Sequence, residues 1–82
     1  MGTIKVIVGN SYLNGVREEF ICSNVDISNR KEMEYAAEEC IGAFVDMHHF
    51  FFEYETPDVS LNKKFNACYY TIEEVIADVW YV

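Results

Sequence analysis

The period of the apolar positions changes along the chain: it is two at the N-terminus, then three to four, and this divides the sequence into elements. Thr3 to Val8 is rich in β-branched residues, which suit a pleated, half-buried surface. Ile4, Val6 and Val8 face one way, and Thr3, Lys5 and Ile7 the other. Gly9-Asn10-Ser11 and Asn14-Gly15 carry turn chemistry, and Asn-Gly is a strong hairpin signal. Val16 to Cys22 reads as the returning strand, with Val16, Glu18, Phe20 and Cys22 on one face and Glu18 at its exposed end. The chain opens with a β-hairpin.

From Asn29 to His48 the pattern becomes helical. Met33, Ala36, Ala37, Cys40, Ile41, Phe44 and Met47 recur at three- and four-residue steps and form one apolar stripe. Glu32, Glu34, Glu38, Glu39 and Asp46 take the other sides. Asn29 is the expected N-cap, Glu32 completes a capping box, and Ile27 is placed as a staple against Met33 or a neighbour. The helix spans roughly 28 Å at ~1.5 Å per residue. Gly42 in its middle costs about 1 kcal/mol relative to Ala, which suggests either a close approach there or tolerated drift.

His49 to Glu55 reads as an aromatic strand, with Phe50, Phe52 and Tyr54 facing the helix and His49, Phe51, Glu53 and Glu55 on the reverse. Thr56-Pro57-Asp58 is a turn, Val59 to Lys64 a polar loop or short edge segment, and Phe65 to Tyr70 the fourth strand. Residues 71 to 82 support two assignments. Ile72, Val75, Ile76, Val79 and Trp80 fit a short helix running into an extended tail, whereas the Val-Ile and Val-Trp-Tyr-Val runs favour strand. With the helix assignment the order is ββαββα. That is an α+β fold in which one long amphipathic helix packs across a small antiparallel sheet.

Composition sharpens this. The chain has 82 residues, enough for one domain and one core, so its stability stays modest unless a partner or second copy adds burial. Its 51% hydrophobic content argues for a folded chain. Fourteen acids stand against six bases, a net charge of -8. Direct binding to nucleic acid or to an anionic membrane is disfavoured, because both call for Lys and Arg. A basic protein surface is the natural complement, although net acidity also serves plain solubility. Cys22, Cys40 and Cys68 are odd in number and widely spaced, with no C-x-x-C pair, which fits a reduced cytoplasmic setting. The N-terminal apolar run is too short for a signal peptide or a membrane span, and the sequence after Gly2 lacks the myristoylation pattern.

Chemistry-bearing groups are sparse. Adjacent His48 and His49 point to different sides of a helix end, and no second ligand pair has metal-site spacing, so neither a metal nor another cofactor is expected. None of the cysteines sits in a motif that would lower its pKa, and no phosphate-cradling loop or nucleophile elbow is present. No catalytic residue is assigned. The acidic helix with interleaved aromatics remains: Glu32, Glu34, Tyr35, Glu38, Glu39 and Asp46, joined by Glu53 and Glu55 around Tyr54, with Trp80 and Tyr81 just past Asp78. Aromatics anchor interfaces, and an acidic rim pairs with Arg and Lys on a partner. The competing reading makes the tyrosines packing residues and the acids a solvated face.

The plan of under a hundred residues, a sheet and one long helix carrying Glu32, Glu34, Glu38, Glu39 and Asp46 resembles the small acidic inhibitors of phages and mobile elements, anti-CRISPR proteins among them. Immunity proteins and antitoxins share it. The resemblance covers the overall plan and no motif. It implies a non-enzymatic protein that binds a basic, nucleic-acid-handling effector complex, with the five helix acids standing in for phosphates. The alternative from composition is a structural or assembly subunit, a homodimer included, that buries Phe51, Trp80 and Tyr81 against another copy or a larger complex.

Overall fold

The computed structural model describes residues 1–75. In chain order these form β1 (Gly2–Asn10), β2 (Leu13–Val25), α1 (Arg30–Met47), α2 (His49–Tyr54), α3 (Leu61–Asn66) and β3 (Cys68–Val75). The fold is α+β: a three-stranded antiparallel sheet in the order β2-β1-β3, with α1 packed against all three strands. The element order is therefore ββαααβ among the described residues, not ββαββα.

The opening hairpin forms as its pattern demands, but it turns earlier than Asn14-Gly15. Asn10 pairs with Leu13 across Ser11-Tyr12, and the Asn10 Oδ1 accepts the Tyr12 N–H at 2.9 Å. Gly15, at φ +78°, instead lies inside β2 where the register shifts, a bulge that needs a left-handed residue. β2 is longer than its apolar alternation suggests, and Val6 pairs with Phe20 on one side and Ile72 on the other. Ile4, Val6 and Val8 are fully buried on the helix-facing side, joined by Phe20, Cys22, Cys68, Tyr70 and Ile72.

α1 begins where expected. Asn29 caps it, accepting from Lys31 N and Glu32 N. The reciprocal half of a capping box is absent, since the Asn29 N–H donates to Asp26 O. Met33, Ala37, Cys40 and Phe44 are buried, whereas Met47 at the helix end is 56% exposed. Ile27 packs over Gly2 of β1, so its place is against the sheet. Among the described residues, a Cβ on Gly42 would meet nothing within 4 Å, so no close approach from them explains that glycine.

The segment His49–Tyr54 is a helix, not an aromatic strand. Phe51 and Phe52 are buried, while Phe50 and Tyr54 are 60% and 63% exposed. Phe44, Phe51 and Phe52 stand seven and eight residues apart, so the stripe of α1 continues past a break at His48. Phenylalanine is worse than Ala in a helix by roughly 0.5 kcal/mol. Burying each ring gains roughly 1.5–3 kcal/mol, so packing decides.

The loop expected over residues 59–64 folds instead into most of α3. The strand expected from Phe65 begins only at Cys68, so residues 68–70 are strand as expected while Phe65 and Asn66 end the helix. Ser60 caps α3 by accepting from Lys63 N, and Phe65 stacks on Phe52 with ring centroids 5.2 Å apart. Asn10 ties the end of β1 to this corner, donating to Lys64 O at 2.7 Å and Cys68 Sγ at 3.2 Å. Residues 71–75 belong to β3, which excludes a helix there. The helix-or-tail assignment of residues 76–82, Trp80 and Tyr81 included, lies outside the described residues.

Candidate functional site

With its apolar stripe on the sheet, α1 turns one face to solvent. At about 3.6 residues per turn, Tyr35, Glu38, Glu39, Gly42 and Asp46 lie on this outward arc, all of them exposed. Glu32 and Glu34 flank the arc on opposite sides. Lys31, Glu34, Tyr35 and Glu38 line an open depression of about 240 Å³, with the Tyr35 ring 67% exposed.

Local electrostatics divide the acids. Glu34 is half-buried and paired with Arg30 at 3.4 Å, one turn back. Glu32 lies in the first turn, where the helix dipole favours a carboxylate, whereas Asp46 lies in the last turn, which holds no base. Glu34 and Glu38 are like charges four apart. Glu53 is exposed on α2 and Glu55 is its C-cap, so these two stand on a different element from the α1 acids.

The remaining polar groups are engaged in the fold. His48 closes α1, and its Nε2 lies 2.8 Å from the Glu18 carboxylate, fastening the helix end to β2. Glu18 is therefore half-buried and partnered, not at an exposed strand end. Lys5 on the outer sheet face bridges Glu19 and Glu73 at 3.3 and 3.8 Å. Burial pushes the Cys40 thiol up to about 12, helped by its contact with Cys22. Burial also raises the Cys68 thiol, against the lowering effect of the Asn10 hydrogen bond. Both are held in the thiol form at neutral pH, so neither is poised as a catalytic nucleophile, and attack by either sulfur is slow. Among the described residues, no three His, Cys, Asp or Glu side chains converge to hold a metal ion, and no helix is long and apolar enough to cross a membrane.

Two arrangements were not legible in the sequence. Lys64 is only 3% exposed, and its Nζ donates to the carbonyls of Phe51, Phe52 and Glu55, closing the C-terminus of α2. The sulfurs of Cys22 and Cys40, on β2 and α1, meet at 3.5 Å. The His48–Glu18 pair carries a faint signal, because His48 lies four residues beyond Phe44 on the buried stripe.

No protein-family model matches the chain, and neither a curated protein nor a solved structure matches it significantly.

Proposed function

We propose that this protein is a non-enzymatic, cytoplasmic inhibitor that binds a basic, nucleic-acid-handling partner through the outward face of α1. Glu38, Glu39 and Asp46 stand in for phosphates there, and Tyr35 is the anchor. One observation carries the reading: that face departs from what helix stability favours. Gly42 costs about 1 kcal/mol, and none of the described residues packs on it. Asp46 opposes the dipole and Glu38 repels Glu34. None of these residues supports the core, whereas a dense carboxylate surface suits a partner's Arg and Lys. Glu32, Glu34, Glu53 and Glu55 extend the acidic rim beyond the arc.

Capture from host lysate on immobilised protein tests this, with Glu38→Lys/Glu39→Lys/Asp46→Lys beside the wild type. The wild type should retain a nucleic-acid-handling protein at low salt and release it at high salt, because screening weakens charge contacts. The folded triple variant should retain at least tenfold less. Equal retention by the variant would sink the acidic-face reading.

A second reading has its own observation. Met47, Phe50, Tyr54, Leu61 and Phe65 are exposed around α2 and α3, and the Phe50 and Tyr54 rings lie 5.0 Å apart. These residues replace the buried Phe51 as the aromatic face of an assembly subunit. A dimer in sedimentation that grows with concentration and ignores salt would favour it.

A further inference from the structure

The two thiols that meet between β2 and α1 are placed by independent elements. Cys22 lies on the inward side of β2 opposite Ile4, and Cys40 on the buried stripe of α1. Their sulfurs are 3.5 Å apart, against about 2.05 Å in a disulfide. Closing the bond takes an approach of about 1.5 Å. Cys68 is excluded as a partner of Cys22 by the sheet. It pairs with Asn10, six residues along β1 from Ile4, on the opposite edge strand. At ~3.4 Å per residue this separates the two by roughly 20 Å along the strand.

We propose that Cys22 and Cys40 form a modification site, a thiol pair that closes to a disulfide fastening α1 to β2, with a small-molecule disulfide of the glutathione type as oxidant. Cys22 is half-exposed and Cys40 is only 6% exposed, so the oxidant meets Cys22. The Cys22 thiolate attacks one sulfur of glutathione disulfide, forming a mixed disulfide and expelling one glutathione thiolate. The Cys40 sulfur gives up its proton and attacks the Cys22 sulfur, and the second glutathione leaves as a thiolate that takes a proton. The protein loses two electrons and two protons, and one glutathione disulfide becomes two glutathione thiols. Burial keeps the oxidant from Cys40, and contact with the Cys22 sulfur at 3.5 Å makes it the resolving residue; its thiol, raised to about 12, makes this second step the slow one. The bridge closes the loop between β2 and α1, restricts the unfolded chain and holds the acidic helix on the sheet.

The test uses the reduced full chain incubated with oxidised glutathione, then unfolded, alkylated and read by mass spectrometry. The expected product is lighter by two hydrogens, carries a Cys22–Cys40 peptide pair and has one alkylatable thiol, at Cys68. It should melt higher than the reduced protein and return to it on treatment with dithiothreitol. Cys40→Ser should stop at a stable glutathione adduct on Cys22, whereas Cys68→Ala should form the bridge as the wild type does. The proposal is overturned if all three wild-type thiols remain alkylatable, or if the wild type keeps a glutathione adduct. An oxidised form that melts lower overturns it as well, since the bridge would then strain the native contact. Those results would leave the pair as ordinary core packing.

Discussion

Lys64 is the side chain on which the α2–α3 corner depends. Among the described residues its ammonium has no carboxylate partner and is satisfied by three carbonyls at the end of α2, 5.5 Å from the centre of the Phe51 ring. The last carbonyls of a helix have no intrahelical partners, and a cation at that end also answers the helix dipole. Lys64→Met keeps the volume and the aliphatic stem but removes every donor. The Phe51 carbonyl keeps the Glu55 N–H, so the change should cost about 2–4 kcal/mol through the Phe52 and Glu55 carbonyls left unmet. Chemical denaturation measures this directly. An unchanged midpoint would mean that water reaches those carbonyls. Nothing in the sequence announces this role, because a lysine in a Lys-Lys pair beside Asn62 reads as surface.

At the scale of elements, legibility followed length. α1 has enough turns for its stripe to be unmistakable, and both Asn29 as cap and the burial of Met33, Ala37, Cys40 and Phe44 were readable from spacing. The inward faces of β1 and β2 were equally plain, with Val6 and Phe20 paired as alternation requires. α2 and α3 have six residues each, less than two turns, too few for a period to show. The run Phe50-Phe51-Phe52 has high strand propensity, and only its packing on Phe44 and Phe65 makes it helical. Of the candidate acids, Glu38, Glu39 and Asp46 fall on the outward face as the pattern required. Glu34 is drawn into a pair with Arg30, and Glu53 and Glu55 belong to α2 and its C-cap, where the residue pattern reads as strand. Gly42 belongs to this scale too. Gly42→Ala should stabilise the protein by about 0.5–1 kcal/mol, because the site is helical, exposed and unobstructed. A fall in the denaturation midpoint would show that the glycine serves the fold.

The whole molecule is sided. One face of the sheet is closed by α1, and the other presents Ile7, Ile21 and Tyr69 around the Lys5 bridge, with Ile21 62% exposed. Three of the six bases are engaged by neighbours: Lys5 between two strands, the exposed Arg30 on Glu34, and the buried Lys64 in the α2–α3 corner. The net charge of -8 leaves the surface acidic, and a basic surface is attracted over about a Debye length, roughly 8–10 Å. Mimicry of nucleic acid makes a sharper demand than attraction, since the protein and the nucleic acid must compete for one surface. The decisive measurement titrates this protein against its captured partner preloaded with labelled nucleic acid and follows release of the label. The wild type should displace the nucleic acid, and Glu38→Lys/Glu39→Lys/Asp46→Lys should need at least tenfold more protein. Displacement by the variant at the wild-type concentration, or a wild type that binds while the nucleic acid stays in place, would contradict the proposed role of α1.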